Sequence, residues 1–178
     1  MTTEQLDTAV AEIAAVMKKA GLVWLSWGGR RAVPAWFAAV DGSYVVLADK
    51  SGGDEQPLPG LAENGAVEVV VPAKPATNRL ASWTASVRRL EPRSEEWTAA
   101  AQVLRTERLN ASGLDTQLER WQDSADLLVL EPTGQITEAA GRYDDSPRAE
   151  APAATPATTR GPRPTTLHRR SRRRPELS

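Results

Sequence analysis

No cysteine occurs in this chain, which excludes disulfides, zinc–thiolate sites, iron–sulfur clusters and thiol nucleophiles. Histidine is almost as scarce: His168 is the only one, and it stands in a stretch rich in proline and arginine. The rest of the chain therefore builds neither a Ser-His-Asp triad nor a histidine metal site. Any chemistry must run on carboxylates, Lys, Arg, Tyr, backbone groups or a borrowed cofactor. Long apolar runs are missing too. Met1 to Gly21 carries Glu4, Asp7 and Glu12 among its apolar residues, which breaks the uninterrupted core of a signal peptide. No later stretch is long enough to span a bilayer, so the expectation is a cytoplasmic protein with no membrane partner. No pair of carboxylates has a spacing that argues for acid–base catalysis, and no metal site is expected.

What is present fits one domain and a tail. A chain of 178 residues holds one domain with a substantial core and is short for two. From about Asp144 the composition shifts to Pro, Ala, Thr and Arg, with Leu167 and Leu177 the only large aliphatic residues. Such a stretch cannot bury enough apolar surface to offset the entropy of ordering, so it is expected to be disordered. The expected division is a folded domain over 1–140 and a tail over 141–178. From Asp145 onward eight arginines stand against Asp145, Glu150 and Glu176, a surplus of five positive charges; the whole chain is −1, so the remainder carries about six negative ones. The run "HRRSRRR" reads as a tether for nucleic acid or as a solvated terminus. An acidic folded part without a basic, aromatic face favours the second.

Local patterns place the elements. Thr2-x-x-Gln5 forms a capping box, and Leu6, Val10, Ile13 and Met17 fall on one helical face. Lys18 and Lys19 suit the helix C-terminus, and Gly21 is placed to end it. Leu22–Trp27 reads as a strand ending at the Gly28-Gly29 turn, and Ala32–Val40 as a second, with Pro34 marking an edge or a bulge. Asp41-Gly42 is a strong hairpin signal leading into a third strand, Tyr44–Ala48. These three form an antiparallel meander. A polar connection, Asp49–Asn64, follows with one helical turn at Leu61–Asn64. Ala66–Val71 and Arg79–Leu90 are two further strands, the latter alternating Ala81, Trp83, Ala85 and Val87 against Ser82, Thr84, Ser86 and Arg88. Ser94 caps a helix from Glu95 to about Asn110, a shorter piece carries Leu114, Leu118 and Trp121, and Ala125–Pro132 is a sixth strand. The expected fold is mainly β with α decoration: a six-stranded antiparallel split barrel with an N-terminal helix and a helical excursion before the last strand.

This order of parts resembles the flavin-binding split barrel of the pyridoxamine 5′-phosphate oxidase family. The resemblance rests on Val33–Phe37 ("VPAWF"), Asp41-Gly42, Trp83-x-Ala85-x-Val87 with Leu90 and Pro92, and Trp97 at a helix start. The segment Gly52–Leu61 is similar to the loop of actinobacterial members and, more loosely, to that of deazaflavin-dependent nitroreductase-like ones. The likeness covers about Met1 to Thr137. It implies a homodimer holding a small-molecule cofactor between barrels: FMN first, the 8-hydroxy-5-deazaflavin coenzyme as the alternative, and haem less readily. The family's Arg-Lys phosphate runs are absent here. The resemblance leaves Lys50, the Ser51 hydroxyl and the Gly52-Gly53 amides as a reduced phosphate cradle. The family's pyridoxal-phosphate residues are not recognisable.

The cofactor-binding candidates are Trp36, Lys50, Ser51, Gln56, Lys74, Arg79 and Trp83; no catalytic residue is assigned. Lys50, Lys74 and Arg79 read equally as an anion-binding set and as solvated loop charges. Trp36 and Trp83 could stack on a flavin ring, although core packing is the commoner fate of a strand tryptophan. Gln56 resembles a loop position that donates to a flavin carbonyl, and it equally suits a turn. Asp54 and Glu55 weigh against a phosphate nearby, while Trp97 and Trp121 read as core. Two functions follow, a flavin- or deazaflavin-dependent oxidoreductase of unknown substrate and a non-catalytic split-barrel binding or dimeric interaction protein. A nucleic-acid role through the tail ranks third.

Overall fold

The computed structural model describes residues 2–50, 55–73, 79–107, 116–139 and 142–143, with Arg79 by its backbone alone. All belong to the compact unit Met1–Asp144. Ser51, Lys74, Leu114 and the Arg-rich stretch after Asp144 lie outside the described residues. Among the described residues no helix is long and apolar enough to cross a membrane.

The first helix, α1 (Thr3–Met17), starts as its sequence dictates. The Thr2 hydroxyl accepts from the Gln5 amide nitrogen at 3.3 Å, and the Gln5 side chain accepts from Thr2 N–H at 2.8 Å, so two otherwise unpaired donors are satisfied reciprocally. Ile13 and Met17 are buried, while Leu6 and Val10 are half-buried. The helix stops before Gly21: Lys19 and Ala20 bond back to Val16 and Met17 in a tightened last turn.

Seven strands follow rather than six. β1 (Val23–Ser26) pairs with β2 (Val33–Ala35), and β3 (Ala38–Val40) pairs with β4 (Ser43–Asp49). The expected second strand is thus broken at Trp36-Phe37. Pro34 cannot donate to a ladder and sits on the outermost strand of that half; beyond Ala35 the chain leaves β1 and takes up β4. Between β3 and β4 Asp41 and Gly42 adopt φ of 46° and 82°, the left-handed pair of a type I′ hairpin, which closes Val40 directly opposite Ser43.

After the single turn α2 (Leu61–Asn64) come β5 (Ala66–Pro72) and β6 (Arg79–Arg89). Helices α3 (Glu95–Glu107) and α4 (Gln117–Ser124) lead into β7 (Ala125–Glu138). This last strand is longer than expected. It runs past Pro132 because register shifts opposite Trp83 and Ala85 absorb the proline. The strand order is β2-β1-β5-β6-β7-β4-β3, antiparallel throughout. Its two outer strands, β2 and β3, are separated by only two residues of chain. A sheet whose edges are covalently adjacent must curl back on itself, which gives the split barrel.

Two apolar clusters fill the two faces. Inside lie Leu25, Val46, Val69, Trp83, Leu128 and Leu130 together with Ile13 and Met17 of α1. Outside, Trp97, Leu104 and Trp121 of α3 and α4 pack on Val45, Leu47, Leu127 and Val129. β4 over Tyr44–Ala48 and β7 over Leu127–Leu130 are therefore buried on both faces, and these stretches read as unbroken apolar runs. Burial also raises the pKa of the Tyr44 phenol, keeping it neutral.

Candidate functional site

The region that the sequence singles out lies where β4 ends. There the backbone fixes both ends of a loop. Asp49 N–H donates to the Gln56 carbonyl at 3.0 Å, and Lys50 N–H to the Ser124 carbonyl at 3.0 Å. On the returning side, Glu55 accepts from Trp121 Nε1 at 2.8 Å. Gln56 turns inward: its Oε1 accepts from Trp36 N–H at 3.0 Å and its Nε2 donates to the Trp36 carbonyl at 3.1 Å. One side-chain amide thus supplies the ladder partner that Trp36 loses where β2 gives way to β3.

The charges around this loop form an alternating chain. Lys50 Nζ lies 3.4 Å from Asp126 Oδ1, the other oxygen of Asp126 is 3.3 Å from Arg89, and Arg89 reaches Glu63 at 2.7 Å. Two cations and two carboxylates cancel. The three outer groups are well exposed and each pair is weak, whereas the Asp126 side chain, only 15 % exposed, holds the centre. An incoming phosphate would compete with Asp126 for Lys50. A second network joins Arg88 to Glu96 (2.6 Å) and Glu131 (3.2 Å). The Arg88 hydrogen bond holds the Glu96 carboxyl below its usual range, and the same bond raises the Arg88 pKa. Among the described residues no group of three or more His, Cys, Asp and Glu is placed to hold a metal ion.

The candidates separate into two ends of the barrel. Trp36, Gln56 and Lys50 come together, with Trp36 half-buried in the strand break and packed at the margin of the outer cluster. Trp83 does not join them. It is fully buried in the inner cluster, its ring 5.5 Å from that of Tyr44. It also lies six residues before Arg89 on β6, roughly 20 Å along the strand. Arg79, described by its backbone alone, begins β6 ten residues before Arg89. Sequence reasoning missed Asp126 as the partner of Lys50, and Arg89 and Glu63 as the pair that continues the chain from it. The pairing is set by the registers of β4 and β6 on β7, and no local motif signals it.

No protein-family model matches the chain, and no curated protein matches it in sequence. Solved structures do. The haem storage protein HutZ from Vibrio cholerae is 19 % identical, with a TM-score of 0.51 over 68 % of this chain and 88 % of that one. The FAD and haem binding protein from Mycobacterium smegmatis is 17 % identical, with a TM-score of 0.49 over 89 % and 93 %. A candidate pyridoxamine 5′-phosphate oxidase from Listeria innocua is 13 % identical, with a TM-score of 0.48 over 72 % and 97 %. At these identities the likeness is one of fold alone: the chain has the curled antiparallel, split-barrel fold that it shares with HutZ.

Proposed function

We propose that this chain is a homodimeric split-barrel protein that binds a flavin or deazaflavin and serves as an oxidoreductase. The observation that carries this reading is the fold shared with HutZ, whose name records haem storage. The choice of cofactor follows from the donor set. Haem iron takes an axial His, Cys, Met or Tyr. Among the described residues there is no His or Cys; Met17 and Tyr44 are buried, and the Tyr143 hydroxyl donates to the Leu80 carbonyl at 2.9 Å. A flavin needs no such bond. Trp36 would lie against its ring, and Lys50 with the Ser51 hydroxyl would hold its phosphate, Lys50 exchanging Asp126 for the ligand. When bound, the ring supplies hydride or electron transfer; the protein supplies position and field.

An absorbance spectrum followed by titration with FMN, deazaflavin and haem tests this. Saturable FMN or deazaflavin binding is expected. Lys50→Ala should weaken FMN by about tenfold, in line with a charge-assisted phosphate contact, and Asp126→Asn should tighten it by releasing Lys50. A colourless protein that binds none of the three overturns the reading. It would leave the second one, a non-catalytic binding or dimeric interaction protein, which the neutralised Lys50 and the engaged Gln56 amide favour.

Dimerisation has its own support. Leu22 and Trp24 are about 40 % exposed, and Trp24 lies in register with Pro34 and Val70 on the outer face of β2-β1-β5. An apolar strip of this kind marks a contact surface. Sedimentation should show a dimer for the parent chain and a folded monomer for Trp24→Glu. A monomeric parent chain rules the dimer out.

A further inference from the structure

The opposite end of the barrel holds a second site. There α1 lies across the start of β6 and the end of β7, and a cavity of about 360 Å³ opens between them. This volume is in the range that takes small molecules. Its walls are apolar: Ile13 and Val16 from the helix, Leu80 and Ala81 from β6, Ile136 from β7. Small side chains at Ala15, Ala81 and Ala139 leave the space open.

Trp83 adds its ring to these walls, with its indole Nε1–H fully buried behind them and without a partner among the described residues. The polar groups of the cavity stand at its mouth. At the rim stands Arg142, exposed, with no ion pair among the described residues. Glu12 shares the rim without pairing with it.

We propose that this cavity binds a small, mainly apolar carboxylate. The hydrocarbon part occupies the space between α1 and the strands. The carboxylate lies toward Arg142, and the Trp83 ring forms part of the wall around the hydrocarbon. Glu12 opposes an anion at the same rim and keeps the affinity moderate. The site is independent of the flavin reading, since it shares no residue with the Lys50–Gln56 end of the barrel.

Isothermal titration of the full chain with octanoate, and with octan-1-ol as the uncharged control, tests the proposal. Octanoate should bind saturably. Arg142→Gln should weaken octanoate by about threefold to fivefold, the scale of an exposed ion pair, and leave octan-1-ol unchanged. Glu12→Gln should tighten octanoate by removing the opposing charge at the rim. Ala15→Phe, at an exposed helix position lining the cavity, should abolish binding of both probes and leave FMN titration as it was. The proposal is overturned if octanoate does not saturate, or if Ala15→Phe binds it as the parent does. Equal losses of octanoate and octan-1-ol in Arg142→Gln would overturn the carboxylate assignment.

Discussion

Replacing Trp97 by alanine is expected to destabilise the protein by about 3–5 kcal/mol, the usual range for removing a large buried aromatic. Trp97 is 1 % exposed, and a side chain of this kind buries about 200 Å², or about 5 kcal/mol of transfer free energy. Its position raises the stakes. It lies in the first turn of α3, where its own N–H donates to the Ser94 hydroxyl at 3.0 Å, and it packs with Leu104 and Trp121 against the outer face of β4 and β7. Removing it loosens the layer that covers both strands. Urea denaturation followed by far-ultraviolet circular dichroism measures the loss; Trp97→Phe, which keeps most of the volume, should lose less than half as much. A cost below about 1 kcal/mol for alanine would show that α3 collapses onto the gap or contributes little.

Gln56→Ala is expected to cost about 2–4 kcal/mol, large for a polar side chain in a loop. The substitution strands two backbone groups at once, the N–H and the carbonyl of Trp36, in a half-buried place, at about 1–3 kcal/mol for each unpaired group that water cannot reach. Gln56→Glu separates the two bonds. It keeps an acceptor for the N–H but offers no donor to the carbonyl, so it should fall between alanine and the parent at neutral pH. Hydrogen exchange at the Trp36 amide reports the same bond directly. Unchanged protection of that amide in Gln56→Ala would sink the view that Gln56 bridges the strand break.

The contrast between these two residues shows what the sequence made legible. Trp97 announces itself: a serine three residues before it, two glutamates after the cap and apolar residues at helical spacing define α3 before any contact is known. The capping box of α1 and the Asp41-Gly42 turn are equally local, and the structure has both. Gln56 carries no such signal. Its partner lies 20 residues away, and Ala32–Val40 reads as one continuous apolar strand because periodicity records faces and not partners. For the same reason the break at Trp36 was invisible and six strands were expected where seven occur. Pro132 misled in another way. Proline bars an ordinary ladder position, yet a register shift opposite Ala85 accommodates it, so β7 extends to Glu138. At the candidate site Lys50 was found from its loop, while Asp126, which cancels its charge, is set by long-range pairing of β4 with β7.

The strand order also bears on how the chain acquires its structure. β7 lies between β6 and β4, although it is the last strand to leave the ribosome. Until residues 125–138 are available, β4 and β6 each present an open edge of unpaired backbone groups, and the inner and outer apolar faces of β4 lack their neighbours. Strand pairing across some 80 residues of sequence, as between Val46 and Leu128, is slow because loop closure precedes any gain. Completion of the barrel therefore waits on residues 125–138, and until they arrive the nascent chain carries the apolar strand β4 with an edge open to other chains.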